Sequence, residues 1–286
     1  MKITFIGLGI MGSRMAKNIL KKNKSLTVFN RSIPPMEELK ESGASIAQSY
    51  KDAVKGADIV FTMLSTPEVV EEVALSENGF IRSMKENSIW IDCSTVNPSF
   101  SIKAGGIAKE NKIRFVDSPV SGTKPNAEAG DLIFYVGCDK GDFTDVEPFL
   151  NFMGSKAVYV GETGKGTSFK MLVNSLLAQS MLIFSETVLL GEKLGITEDF
   201  LLDLLPNLGV SAPFLKSKTG MIRENNFDLQ FPLEWMHKDL HLVALTAYEK
   251  KQPLLLANIV KELYAKANQS GLGREDFAAI YRYLSN

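Results

Sequence analysis

The sequence predicts an α/β amino-terminal half and an all-α carboxyl-terminal half joined by a long central helix, on three observations. Short apolar, β-branched runs alternate with helical patterns from residue 2 to about residue 160. From Gly161 to Leu194 a glycine-rich opening leads into a long proline-free stretch dense in Leu, Met, Phe and Val. Beyond Leu194 no strand pattern recurs. The implied domains are 1–162 and 195–286, with 163–194 as the helix between them.

Taken in order, residues 2–6 (KITFI) read as a buried strand, and Gly7-Leu8-Gly9-Ile10-Met11-Gly12 follows at once. Ser13–Lys21 is helical in pattern, and a second strand, Leu26–Phe29, ends at Asn30. Strand, GxGxxG, helix, strand at this length is the Rossmann-type dinucleotide-binding unit. The first glycine makes the turn, the second admits a pyrophosphate against the backbone, and the third lets helix pack on strand. Amides at the helix start then face the negative charge. A site for NAD would place a carboxylate at the end of the second strand; Asn30-Arg31-Ser32 has none. Arg31 offers a fork of donors and Ser32 a hydroxyl to a ribose 2′-phosphate, so the expected cofactor is NADP(H).

Asp58–Leu64 and Ser88–Cys93 are further strands, each running into a hydroxyl-rich turn and a proline-marked helix start. In an open α/β sheet such turns lie at the carboxyl edge, where ligands sit. Met63, Leu64, Ser65 and Thr95 are therefore expected at the nicotinamide end, with helix capping as the competing role for the hydroxyls. Strands at Arg114–Val116, Leu132–Val136 and Ala157–Val160 complete this half, with a helix around Phe143–Phe152. Between the first two, Ser121-Gly122-Thr123 offers hydroxyls and a bare amide suited to a carboxylate.

The central stretch is apolar on every side, the pattern of a buried helix. Lys170 and Asn174 lie in its first turns, four residues apart and so on one face. A lysine there needs a partner or a purpose. At the seam between two domains, the pair is expected to face a cleft that takes a small molecule.

The later helices are expected at Glu198–Leu205, Pro213–Glu224, Leu233–Lys250, Leu254–Ala267 and Asp276–Leu284, punctuated by prolines and glycines. His237 and His241 have a metal-compatible spacing, but Lys238 stands where a zinc peptidase carries glutamate and the chain has no third histidine. No metal is expected. With 32 basic and 33 acidic residues and no basic cluster, no nucleic-acid partner is expected. No uninterrupted apolar run reaches the roughly 20 residues of a membrane helix, so none is expected at a membrane. Cys93 and Cys138 lie in strand-like runs rather than a disulfide framework, which suits a cytoplasmic location.

Together FIGLGIMGSRMAKN (5–18), STV (94–96), DSPVSGT (117–123), GETGKGTSFKMLVN (161–174) and FPLEWMHKDL (231–240) resemble the β-hydroxyacid dehydrogenase family, the group containing 3-hydroxyisobutyrate dehydrogenase. NRS at 30–32, PVSGTK at 119–124, and FPL followed by KDL look most like its glyoxylate/succinic semialdehyde reductases. The resemblance implies Lys170 as catalytic acid/base with Asn174 beside it, and Ser121, Gly122 and Thr123 as the substrate-carboxylate turn. It also implies Phe231 and Asp239 closing the pocket, and Thr95 and Lys238 near the nicotinamide. Two departures touch the expected pocket: Pro125-Asn126, and Ala212-Pro213 where Asn-Pro is usual. The expected reaction is NADPH-dependent reduction of succinic semialdehyde or glyoxylate. Oxidation of 3-hydroxyisobutyrate or a related 3-hydroxyacid is the alternative, and a catalytically silent dinucleotide-binding module the third reading. A homodimer or homotetramer is expected from the apolar central helix.

Overall fold

The computed structural model describes residues 1–23 and 25–285. Nine strands form one sheet: β1 (Ile3–Ile6), β2 (Leu26–Phe29), β3 (Ser45–Ile46), β4 (Ile59–Thr62), β5 (Ile89–Asp92), β6 (Arg114–Asp117), β7 (Val120–Ser121), β8 (Leu132–Gly137) and β9 (Gly154–Gly161). The first six are parallel in the order β3-β2-β1-β4-β5-β6, the doubly wound order of dinucleotide-binding folds. β8 runs antiparallel to β6 and β7, and β9 pairs parallel with β8. β1, β4 and β5 are buried along their whole length, as strands covered on both faces must be.

The helices around this sheet are α1 (Gly12–Lys22), α2 (Pro34–Glu41), α3 (Tyr50–Val54), α4 (Pro67–Val70), α5 (Pro98–Glu110), α6 (Lys124–Ala129) and α7 (Lys140–Leu150). Two cores result. One packs Phe5, Met15, Ile19, Val28, Ile91, Val116 and Phe134; the other packs Val60, Phe80, Trp90, Phe100 and Phe115. β3, β7, α2, α3 and α6 are additions to the sequence reading. Each is eight residues or shorter, too short for periodicity to register.

The long helix is α8 (Lys165–Lys193). The chain divides into two compact units, Met1–Lys170 and Met171–Asn286, so the division falls inside α8. The second unit continues with α9 (Glu198–Leu204), α10 (Thr219–Arg223), α11 (Leu233–Glu249), α12 (Leu255–Ala267) and α13 (Ile280–Ser285). Its core gathers Met181, Leu182, Phe184 and Val188 of α8 with Leu215, Met236, Leu240, Val260, Tyr264 and Phe277. The continuous helix expected over 213–224 is two pieces, a 3-10 turn at Pro213–Ser217 and then α10. The last helix is likewise preceded by a 3-10 turn at Phe277–Ala279.

Two expectations for α8 are corrected. It is not buried all round: Leu172, Leu176, Ile183 and Leu190, with Leu194 one residue beyond its end, form a solvent-exposed stripe, Leu176 at 68%. A helix of this length has more apolar circumference than the surrounding elements cover. Nor is it too short for a membrane; by length and composition alone α8 is apolar enough to cross one. Asn174, Gln179 and Ser185 break the apolar run without bringing down its average. The opposite face of the helix is spent on the protein core.

Candidate active site

The dinucleotide cradle begins where β1 stops. Gly7 has φ +96° and no room for a side chain, since a Cβ there would lie 2.3 Å from the Met63 carbonyl oxygen. A Cβ on Gly12 would fall 1.9 Å from the Gly7 oxygen. Gly9 differs: a Cβ there would meet nothing within 4 Å, so its backbone faces open space at the start of α1. That start has no side-chain cap and no acidic residue in its first turn. A tight turn, a bare approach and uncapped amides fit the pyrophosphate of a dinucleotide.

At the end of β2, the Asn30 side chain is committed to the loop. Its Oδ1 accepts from the Leu8 N–H at 3.0 Å and its Nδ2 donates to Ser32 Oγ at 2.8 Å. Asn30 thus ties the glycine loop to the following turn, while Arg31 stays solvent-exposed.

At the ends of β4 and β5 a buried network fixes the next two turns. Asp92 Oδ1 accepts from the Thr62 hydroxyl at 2.8 Å and the Ser94 N–H at 3.1 Å. Ser94 Oγ in turn accepts from the Leu64 N–H at 2.9 Å, and Trp90 Nε1 donates to Thr62. Met63, Leu64, Ser65 and Thr95 are all half-buried. The capping role considered for the hydroxyls falls elsewhere: Thr66 caps α4, accepting from the Val69 N–H, and Asn97 occupies the cap position of α5.

Ser121 ends β7, Gly122 follows with φ +116°, and Thr123 caps α6. Asn126 Oδ1 accepts from the Thr123 N–H at 3.0 Å, one arm of a capping box. The Pro125-Asn126 departure is therefore a helix start: proline in the first turn, then the box residue. Ala212-Pro213 opens the 3-10 turn of 213–217, whose Phe214 ring lies 6.1 Å from that of Phe277, the ring that also packs on Phe231 at 5.6 Å.

Lys170 is buried on α8 at 7% exposure. In the second unit Asn174 is fully buried and donates from Nδ2 to Asp239 Oδ2 at 2.6 Å. The Lys238 ammonium lies 2.7 Å from Asp239 Oδ1. That pairs Asp239 with Asn174 and Lys238 at once, and puts the Lys238 charge on Asp239. Asn174 Oδ1 is buried with no hydrogen-bond partner among the described residues. An acceptor desolvated and left open costs about 1–3 kcal/mol.

Phe231 is held by residues the sequence reading passed over. Its N–H donates to Asp276 Oδ2 at 3.1 Å, and its carbonyl accepts from the Phe277 N–H at 2.8 Å. Asp276 Oδ1 faces the Lys218 ammonium at 2.9 Å, both side chains being almost fully buried. Lys218 lies between Ser217 and Thr219, a setting not distinguishable in sequence from that of a surface lysine. Asp117 heads the DSPVSGT motif without a role legible in sequence; its buried carboxylate accepts from the Gly164 N–H at 2.6 Å and the Thr167 N–H at 2.8 Å. No cluster of three or more candidate metal ligands occurs among the described residues.

Residues 2–161 match the family model described as the NAD-binding domain of 6-phosphogluconate dehydrogenase. Residues 164–284 match the one described as NAD-binding of NADP-dependent 3-hydroxyisobutyrate dehydrogenase. Glyoxylate/succinic semialdehyde reductase 1 of Arabidopsis thaliana is 34% identical over 98% of this chain and 97% of its own length. Mitochondrial 3-hydroxyisobutyrate dehydrogenase of Rattus norvegicus is 33% identical over 99% of this chain and 86% of its own. Among solved structures, Mycobacterium tuberculosis 3-hydroxyisobutyrate dehydrogenase with L-serine superimposes with a TM-score of 0.90 at 26% identity, covering 100% of this chain and 99% of that one.

Proposed function

Since the chain belongs to the β-hydroxyacid dehydrogenases, nicotinamide-dependent oxidoreductases of hydroxyacids, we propose that it reduces small aldehyde-acids with NADPH. The substrates we assign are succinic semialdehyde, giving 4-hydroxybutyrate, and glyoxylate, giving glycolate. The observation that carries the reading is the α8 face on which buried Lys170 stands one turn before Asn174, whose amide oxygen is an open acceptor. The amino-terminal glycine loop supports the dinucleotide, and Arg31 with Ser32, without a carboxylate, supports its 2′-phosphate.

In this mechanism the Ser121 and Thr123 hydroxyls and the Gly122 N–H take the substrate carboxylate. Lys170 binds the carbonyl oxygen, stabilises it as it gains charge and donates the proton. Asn174, anchored on Asp239, offers Oδ1 to the hydroxyl of the alcohol that forms, and Phe231 supplies an apolar wall. The Gly7–Gly12 segment, Asn30, Arg31 and Ser32 hold the dinucleotide, with Met63, Leu64, Ser65 and Thr95 beside its nicotinamide. Lys238 acts there through its pair with Asp239. When bound, the reduced cofactor supplies the hydride.

The test is an initial-rate comparison of glyoxylate and succinic semialdehyde, each with NADPH and with NADH, alongside Lys170→Ala. Lys170→Ala is expected to lose at least about a hundredfold in kcat while NADPH still binds. Near-normal turnover would remove Lys170 from the mechanism. Activity confined to the oxidation of a 3-hydroxyacid with NAD would replace the reductase reading.

The exposed Leu172–Leu194 stripe supports a homodimer or homotetramer, and two buried free thiols, Cys93 and Cys138, suit the reducing cytoplasm.

A further inference from the structure

Asp117 links two parts of the proposed site. Its backbone ends β6 and begins the turn that runs to Ser121, Gly122 and Thr123. Its side chain, fully buried, reaches the start of α8. There Oδ1 accepts from the Gly164 N–H at 2.6 Å, and Oδ2 from the Thr167 N–H at 2.8 Å and the Thr167 hydroxyl at 3.3 Å. Thr167 precedes Lys170 by three residues and Asn174 by seven, so the helix face resting on Asp117 is the face that carries both.

The surroundings are shaped for this carboxylate. A Cβ on Gly137 would come within 2.5 Å of Oδ1, and one on Gly166 within 2.9 Å of Oδ2. Other helices here stop their amides with a residue of their own, Ser49 for α3, Thr66 for α4 and Thr197 for α9. At α8 the cap is a carboxylate brought from 50 residues away in sequence. It is an expensive choice, because burial raises the carboxyl to about 6 against the pull of its three donors. A local hydroxyl would satisfy the same amides without a buried charge. What a local cap cannot do is tie the helix start to the substrate turn.

We propose that Asp117 is a positioning residue for proton transfer: by clamping the first turn of α8 it sets the distance from Lys170 to the Ser121–Thr123 turn. The proposal rests on the reading of Lys170 as proton donor. A displacement of about 1 Å between groups that must act on one small substrate costs on the order of a hundredfold in rate. Ground-state binding, carried by the hydroxyl turn and the glycine loop, is affected less.

The experiment is Asp117→Asn in the full chain, with Lys170→Ala in parallel. It measures kcat and KM for succinic semialdehyde, NADPH affinity by fluorescence, and thermal unfolding. Asn keeps the size of the side chain but turns one of its two accepting oxygens into an NH2 that faces an N–H, so thermal unfolding is read beside kcat to separate loss of the clamp from loss of the fold. The expected result is a fall in kcat of about ten- to a hundredfold with KM and NADPH affinity within about threefold of the parent. A kcat at the parent level, with Lys170→Ala inactive, overturns the positioning role and leaves the Lys170 reading standing. Full turnover by Lys170→Ala ends both. A rise in KM with kcat unchanged also overturns the proposal, because it would place Asp117 in binding. If Asp117→Asn does not fold, Thr167→Val keeps the charge and removes one of its donors. A several-fold loss of kcat at constant KM then supports the clamp, and no change overturns it.

Discussion

At the scale of single residues, the site divides into side chains whose type declares their chemistry and side chains whose role comes from their neighbours. Lys170 and Arg31 belong to the first kind. A lysine inside an apolar helix and an arginine after a carboxylate-free second strand are both readable without coordinates. Arg31→Glu puts a carboxylate where the 2′-phosphate is expected, and should lower the ratio of kcat/KM with NADPH to that with NADH by at least about tenfold. An unchanged ratio would show that Arg31 does not select the cofactor. Asn126, Asp117 and Asp276 belong to the second kind. Nothing in Pro125-Asn126 reads as anything but a departure until Asn126 is seen accepting from the Thr123 N–H. Cys93 and Cys138 show the same dependence on surroundings. Burial raises the Cys93 thiol well above its ordinary value and takes Cys138 up to about 12, which favours the neutral thiol at both.

Elements are where the sequence was most informative and also where its reading stopped. Strand β2 lies over the residues expected for it, and β1, β4, β5 and β8 within a residue or two, because buried strands write continuous apolar runs. The Pro213–Glu224 stretch failed as one helix. Its apolar periodicity persists across the turn between Ser217 and Thr219, and periodicity does not register a change of helix type. The compensation for that break is Lys218, which sits at the joint and reaches Asp276 at 2.9 Å and the Phe277 ring at 4.8 Å. With its partner deleted, the Asp276 charge would be left buried and uncompensated. Lys218→Met should therefore destabilise the protein by about 3–5 kcal/mol, read as a lower denaturant midpoint at constant slope. Because Asp276 also accepts from the Phe231 N–H, KM for the aldehyde-acid should rise in the same variant. A change of under about 1 kcal/mol would show that the pair contributes little.

For the whole molecule, two properties belong to no single element. The first is the exposed stripe on α8: Leu172, Leu176, Ile183 and Leu190, with Leu194 one residue beyond its end, recur at the spacing of a helix–helix contact. With Phe200 and Leu204 of α9 also exposed, this is more apolar surface than a monomer ordinarily leaves in water. The double change Leu176→Glu with Ile183→Lys should reduce the sedimenting species to the monomer; an unaltered mass would exclude this face from the assembly. The second is the pH dependence of stability. Asp117 is raised from 3.8 to about 6 by burial, so between those values the native chain keeps a proton that the unfolded chain has released. The group's contribution is therefore full below about pH 4 and is lost as pH rises through about 6. Unfolding free energies of the parent and of Asp117→Asn should accordingly diverge between about pH 4 and about pH 6 and keep a constant gap above, the parent losing about 2–3 kcal/mol relative to the variant. Parallel curves would contradict the raised value.

By itself the sequence determined the dinucleotide-binding half, the helical half, the long helix between them and the place of a lysine out of keeping with its apolar helix at Lys170. Each of these is written in local patterns, of glycine spacing, apolar period and a polar residue out of place, and local patterns survive without coordinates. The tertiary structure alone decided that Asp117 holds the start of α8, that Asn174 is anchored on Asp239, that Lys218 is paired, and which side of α8 remains in water. These depend on which distant segments meet, over separations such as the 50 residues from Asp117 to Thr167 or the 65 from Asn174 to Asp239. A lone carboxylate or lysine in a sequence carries no mark of the partner that folding will bring to it.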